Sequence, residues 1–376
     1  MSPPIDFTTL PPIAQRVLAP DAPENLRLGA ARGILPGLKP GDIVTVVALF
    51  AESGDPDLAP IATQTLTSFP TALLNVALDT ALPAYTLDVL ARTYWGHDDI
   101  LGRIVSAPNV AADTVADLAE SGSELLCERI AINEERLLEF PVIIEKLYMN
   151  RQVRMSTADR VLEFAVRNEL ELNIPAFKEA SLAIQDELVA EATAEPNPDD
   201  LLYAETDRIA ETIVIDASTE DTHELDEQGN EKVKEKIVPL WAQISNMTVS
   251  QKIRRAILGT PTERMLLVRD GNRLVASAAI RSPLLKENEV VQIAASRSVS
   301  DEVLRIIAGN KEWTQNHQVK FNLVSNPRTP FTFASRLISY LRDHELKILA
   351  KSKNVPQSVQ NAARQHLTRK EKKAQG

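Results

Sequence analysis

The sequence predicts an all-α protein, an α-solenoid of short helical repeats interrupted by an acidic, disordered linker. Three observations carry that expectation. Hydrophobic residues make up 44% of the chain but aromatics only 5%, so a core must be built from Leu, Ile, Val and Ala, the palette of closely packed helices. Pro, Gly, Asp, Ser and Asn punctuate the chain at intervals too short for long bundle helices. Charge is also segregated. Residues 246–376 hold about 23 Lys+Arg against about 10 Asp+Glu, so of the 41 and 52 in the whole chain about 18 and 42 fall on residues 1–245. The acidic first part and the basic last part have different electrostatic roles.

Residues 1–183 read as an N-terminal helical-repeat block. In LKPGDIVTVVALFAES, Pro40 precedes Asp42, and in SAPNVAADTVADLAESG, Pro108 precedes Asn109. Both are helix-start signals, and Ser156 followed by Asp159 is a usable capping-box arrangement. Val161, Phe164, Ala165 and Asn168 then follow the i, i+3, i+4, i+7 spacing, the first three forming an apolar stripe.

Residues 184–236 read as an acidic, largely disordered linker or insertion. Residues 181–236 hold about 17 acidic and 4 basic side chains. The stretch 216–236 has almost no apolar content with which to offset its ordering entropy. The preceding LLYAETDRIAETIVI is compatible with one helix or with a short strand.

Residues 237–368 return to the first grammar as a basic helical-repeat block, followed by a short basic tail over 369–376. SPLLKENEVVQIAAS, SVSDEVLRIIAGN, NPRTPFTFASRLISYL and NVPQSVQNAARQHL each place a breaker before a helix of about ten residues. Pro283, Pro327 and Pro356 set a loose spacing without a strict period. Helices this short are marginal alone, because nucleation is costly and isolated helices below about 12–15 residues scarcely form in water. They must stack on neighbouring copies, which leaves long open faces for binding.

These breaker-plus-short-helix units resemble the HEAT-like and leucine-rich-repeat-variant families of α-solenoids. The block MTVSQKIRRAILGTPTERMLLVRDGNRLVASAAIRSP, with SVSDEVLRIIAGNKEW, VSNPRTP and LAKSKNVPQSVQNAAR, is similar to an uncharacterised repeat family of bacteria, chiefly deltaproteobacteria. The resemblance covers about residues 246–368 and implies a fold with no agreed activity. Some leucine-rich-repeat-variant proteins carry an iron–sulfur cluster on cysteines that this chain lacks. HEAT-like DNA glycosylases have a basic concave face, whose only counterpart here is the basic character.

Chemistry leaves few marks. HExxH, GxxxxGK[ST], GxSxG and CxxC patterns are missing from the sequence, so neither catalysis nor a cofactor is expected. His97 beside Asp98 and Asp99 offers metal-ligand chemistry, but adjacent residues on a helix diverge, and a solvated turn or helix cap is the expectation. The single Cys127, flanked by Leu126 and Ile130, reads as a small core residue, and lone-cysteine usage points to a reducing, cytoplasmic setting. An N-terminus without a basic start and apolar core, and the lack of any apolar run near 18 residues, predict no membrane contact. Glu134–Glu135 and Asp301–Glu302 read as helix-opening acids favoured by the dipole. Trp241 and Trp313 read as core plugs.

The basic last third is the most functional-looking feature. Lys252, Arg254 and Arg255 crowd one helix, and Arg269, Arg273, Arg281, Arg297, Lys311, Lys320, Arg328 and Arg336 recur through the repeats. In-register stacking would align some of them as a stripe that attracts an acidic protein or a phosphate backbone. Ordinary solvated faces, with Arg stems covering apolar surface, explain the same pattern. The leading expectation is a scaffold or adaptor that docks a protein partner, with nucleic acid as the alternative. The acidic linker is also tethered where it can cover the basic repeats itself.

Overall fold

The computed structural model describes residues 5, 9–185, 187, 189, 195–213, 221–226 and 228–375, with side chains described to residue 370. The chain divides into two compact units, Met1–Leu172 and Asn173–Gly376. Among the described residues there are 24 α-helices and one two-stranded hairpin. The expected all-α class therefore holds. None of these helices is long and apolar enough to cross a membrane.

Apart from the 19-residue helix Gln357–Gln375, the helices run from 6 to 15 residues. Their starts follow local chemistry. Pro40 opens Pro40–Ala51 with Asp42 in the first turn, where a missing N–H costs nothing and a carboxylate meets the helix dipole. Asn133 and Ser300 cap the helices that Glu134–Glu135 and Asp301–Glu302 open, as the acid pairs suggested. Two starts differ from expectation. Asn109 donates its side-chain N–H to the Leu82 carbonyl at 3.3 Å and the helix begins later, at Ala112. Met155–Arg167 starts one residue before Ser156, with Arg154 at the N-cap, so Ser156 lies inside the helix.

Within each unit helices pack mainly on near neighbours in sequence, and in the second Phe177–Gln185 is a long-range exception, packing on Val249–Leu258 and Arg273–Ile280. In the first, Pro40–Ala51 packs on Leu58–Thr67, Thr71–Leu78 and Ala84–Thr93, and Ala112–Ser121 packs on Val142–Met149. In the second, Val249–Leu258 packs on Phe177–Gln185, Pro261–Leu267 and Arg273–Ile280, and Glu287–Ala295 packs on His317–Ser325. The apolar stripe of Met155–Arg167 is buried at Val161, Phe164 and Ala165. Each fully buried aliphatic or aromatic side chain contributes about 1.5–3 kcal/mol, which supports helices too short to persist alone.

A recurring polar device links successive layers. Helix C-terminal carbonyls lack intrahelical partners, and side chains about 25–32 residues further on supply them. Asn150 Nδ2 donates to the Ala119 and Gly122 carbonyls at 2.9 and 3.0 Å. Asn326 Nδ2 donates to the Ala294 and Ser296 carbonyls at 3.0 and 2.7 Å. Ser282 Oγ does the same for Ile257 at 2.7 Å. Each asparagine also accepts from the N–H two residues on, Gln152 at 2.9 Å and Arg328 at 3.0 Å, so the same local turn serves both units.

The region 184–236 departs most from the sequence expectation. Helix Phe177–Gln185 falls in the second unit, so the unit boundary precedes the expected one at 183. LLYAETDRIAET is helical within Pro198–Thr212, opened by an Asn197/Asp200 capping box. Residues 214–220 and 227, part of the stretch expected to be disordered, lie outside the described residues. Residues 221–226 and 228–236 contain an antiparallel hairpin, His223–Leu225 paired with Glu231–Val233 in the register His223↔Val233. Gly229 turns it at φ +83°. These described residues are not a structureless linker.

Candidate functional site

The site is built on helix Val249–Leu258, which a Thr248/Gln251 capping box starts. Its apolar residues Ile253, Ala256 and Ile257 are fully buried, and so are Arg254 at 0% and Arg255 at 2% exposure. Burying two adjacent guanidiniums without partners would be prohibitive. For Arg255 the partners come from the acidic region. Its Nη1 donates to Asp207 Oδ1 at 2.5 Å, and its Nη2 donates to the Tyr203 carbonyl. Its guanidinium lies 3.9 Å from the Tyr203 ring centroid, with that of Arg254 5.4 Å from the same ring. Tyr203 and Asp207 are one turn apart on Pro198–Thr212, a spacing that puts both on one face.

Glu263 closes the inner side. It is the N3 residue of the Thr260 capping box, accepting from Thr260 N at 2.7 Å, and its Oε1 lies 3.6 Å from Arg255 Nη1. Burial pushes the Glu263 carboxyl above the usual carboxylate range, against the pull of Arg255 and of the Thr260 bonds. Arg264, on the same short helix, reaches the Gly259 carbonyl at 2.7 Å and both oxygens of Glu289.

A second cluster lies where the hairpin meets the helices. Arg269 holds Asp221 with both oxygens at 3.1 and 2.9 Å and the Met265 carbonyl at 2.7 Å. Glu231 accepts Ser298 Oγ at 2.6 Å, Ser296 Oγ at 2.7 Å and the Arg297 backbone N–H at 2.7 Å, with Arg269 Nε at 3.5 Å. Burial raises the Glu231 pKa, but the Ser298, Ser296 and Arg297 bonds and the Arg269 charge outweigh it and hold the carboxyl at about 2. His223, on the same hairpin, bonds Thr222 Oγ1 through Nδ1 at 2.8 Å. Burial, then the Arg269 charge, lowers its pKa to about 4.

A third contact comes from Glu187, which accepts the Ser250 backbone N–H at 2.9 Å in the first turn of Val249–Leu258. Glu187, Asp207, Asp221 and Glu231 all belong to the acidic region; the first two land on helix Val249–Leu258, and the last two on Arg269 and the turn at 296–298. Chemically, the arrangement binds carboxylates and an aromatic ring on a row of arginines. Among the described residues no cluster of His, Cys, Asp and Glu is arranged to hold a metal ion.

The eight candidate partner-binding residues do not form one exposed stripe. Arg254 and Arg255 are interior; Tyr203 and Asp207 lie on Arg255, and the Arg254 guanidinium faces the same Tyr203 ring. Lys252 is 17% exposed and pairs with Asp270 at 3.4 Å. Arg273 stays exposed but is engaged by Glu302 at 2.7 Å, beside a recess of about 400 Å³ that Lys178, Glu179, Ser277 and Arg281 also line. Lys320 is half-buried, its Nζ 5.6 Å from the Tyr340 ring centroid. Arg328 is exposed and donates to the Ser298 and Val299 carbonyls, both at 3.3 Å. Arg297 and Lys311 are exposed.

Other sequence candidates resolve simply. His97 is an exposed helix cap, edge-on to Tyr94. Cys127 is buried, within 3.4 Å of Asn150 Nδ2. Trp241 and Trp313 are only half-buried and are not core plugs. Glu231, Ser296 and Ser298 were not singled out by sequence, although the D-x-x-G turn at Asp226–Gly229 between two short polar runs is a hairpin signal.

Comparison with protein-family models, with curated proteins and with solved structures found no match. The likeness to α-solenoid repeats thus stands on the sequence phrases alone.

Proposed function

We propose that the chain is a non-catalytic scaffold or adaptor, an α-solenoid of short repeats in each unit, that holds a protein partner on its helical faces in the cytoplasm. The observation that supports this most is intramolecular. Basic side chains of the second unit already take an acidic, tyrosine-bearing protein segment, with Tyr203 and Asp207 on Arg255 and with Asp221 and Glu231 around Arg269. A tyrosine stacked on arginine with flanking carboxylates is the chemistry of protein–protein hot spots. The first unit adds exposed apolar side chains, Leu125, Ile132, Leu138, Phe140 and Val142, within a short stretch of sequence.

The nucleic-acid reading draws less support, because Arg254, Arg255, Arg264 and Arg269 are consumed inside the unit and are not offered to phosphates. The test uses the immobilised full chain. Proteins retained from a cell lysate, cross-linked and mapped by mass spectrometry, are expected to attach to helical faces, while a DNA duplex of about 30 base pairs and a single-stranded RNA bind weakly at about 150 mM salt. Submicromolar nucleic-acid binding with a steep salt slope, and no retained protein, would reverse the assignment.

A further inference from the structure

The loop Ser296–Arg297–Ser298 and the side chain of Arg269 make a carboxylate cradle that the helices build without help from the hairpin. The Ser296 backbone N–H is bonded to Gln292, and its carbonyl takes Asn326 Nδ2 at 2.7 Å. Arg328 Nη1 holds the Ser298 and Val299 carbonyls, and Val299 is fully buried. Arg269 is pinned to the Met265 carbonyl of its own turn. Two hydroxyls, one backbone N–H and one guanidinium therefore converge on one point, fixed from behind by layers that do not involve residues 221–236.

The occupant is held differently. Among the described residues of 221–236, Thr222 is the one buried residue, and Leu225 is 68% exposed. The strands are three residues long. A two-stranded hairpin of this size is marginal in water by itself. Its side-chain contacts with the helical part run from Asp221 and Glu231 to Arg269, Ser296, Arg297 and Ser298, with the Thr222 hydroxyl also on Arg269 at 3.3 Å, contacts that are polar and in part open to screening by salt. A rigid acceptor filled by a weakly anchored acidic donor is an exchangeable pair.

We infer that the Ser296–Ser298 and Arg269 cradle is a receptor for an acidic segment of a protein partner, and that Asp221 and Glu231 of the chain's own hairpin are its resident, displaceable occupants. The partner supplies a glutamate or aspartate in extended conformation, matching Glu231 at the start of its strand, with a second carboxylate for Arg269. The inference rests on the protein-binding role proposed above and names the chemistry of that partner.

The probe is a fluorescein-labelled peptide of residues 221–236, DTHELDEQGNEKVKEK, read by anisotropy against full-length chains. The D221N/E231Q chain, whose own hairpin no longer satisfies the cradle, is expected to bind the peptide at least about tenfold tighter than the unsubstituted chain. Adding S296A/S298A is expected to remove at least about tenfold of that binding. Equal binding to the D221N/E231Q and unsubstituted chains, or indifference to S296A/S298A, would overturn the inference.

A second measurement needs no variant. In the unsubstituted chain, amide exchange across 223–233 is expected to run well ahead of that in Val249–Leu258 and to accelerate between about 50 and 500 mM salt. Exchange of the hairpin only together with that helix would equally overturn it. Peptide binding to the opened chain without any protein retained from lysate would leave the cradle standing and remove the scaffold role. Retained protein that ignores the cradle substitutions would do the opposite.

Discussion

Arg264 Nη2 donates to both oxygens of Glu289, at 3.0 and 3.1 Å, with the arginine side chain 2% exposed and the glutamate fully enclosed. The pair ties Pro261–Leu267 to Glu287–Ala295, and Glu289 also accepts the Lys286 backbone N–H at 2.7 Å. Removing one partner leaves the other charge buried and unpaired, whereas removing both leaves an apolar gap. Glu289→Gln is therefore expected to cost about 3 kcal/mol, and the Arg264→Met/Glu289→Leu double variant less than that single change. A W95F background leaves Trp241 and Trp313 to report the second unit in urea. A loss below about 1 kcal/mol for Glu289→Gln would contradict the burial argument.

Acid should loosen the hairpin in two steps. The folded pKa of His223 is about 4, below its ordinary 6.5, and that of Glu231 is about 2, below its ordinary 4.5. In both cases the unfolded form binds more protons, so stability rises with pH across each interval. The His223 contribution is complete above 6.5 and is lost as pH falls toward 4, and the Glu231 contribution is lost between 4.5 and 2. Urea midpoints followed against pH should decline across the first interval in the unsubstituted chain and flatten there in His223→Gln. Unchanged slopes would mean that His223 titrates normally. A proton-detected imidazole titration of His223 checks the same point directly.

Asn150 and Asn326 perform one task in two units, each donating to two helix-end carbonyls of the preceding layer. Substituting alanine strands buried acceptors, at about 1–3 kcal/mol in each case. Asn326→Ala should shift the transition reported by Trp241 and Trp313, and Asn150→Ala that reported by Trp95. Similar losses in both would mark a shared device, and a neutral result at either position would dissolve the equivalence.

Much of the helical architecture was legible locally. Pro40 with Asp42, the acid pairs at 134–135 and 301–302, and the Val161, Phe164, Ala165 stripe all act where their chemistry predicts. The site was less legible, because its decisive contacts join residues far apart in sequence. Arg254 and Arg255 look like a solvated patch until Tyr203 and Asp207, about 50 positions earlier, are laid on them. Adjacent residues on a helix point in different directions, so no local pattern foretells that both are interior. The hairpin escaped because its strands are short and polar, with no apolar alternation to read. The charge segregation is the sequence feature these long-range pairs draw on, since Asp207, Asp221 and Glu231 come from the acidic stretch and Arg255 and Arg269 from the basic one.

Gly259 gives the sharpest local test of how the arginine row is held. It ends Val249–Leu258 with its N–H on the Arg255 carbonyl at 2.7 Å. Its φ of −68° suits any residue, so glycine is required there by space alone. A Cβ would sit 2.5 Å from that same carbonyl oxygen and 2.7 Å from Glu263 Oε2. The first obstacle is backbone, and the second is the carboxylate that caps Pro261–Leu267 and faces Arg255. Gly259→Ala is thus expected to cost about 1–3 kcal/mol by overpacking. It also moves Glu263 away from the Thr260 N–H and from Arg255. Gly271, where an added Cβ meets nothing within 4 Å, is the control, and Gly271→Ala should stay within about 0.5 kcal/mol of the parent. Urea midpoints that do not separate the two alanines would mean that the Gly259 turn yields freely and that Glu263 does not depend on it.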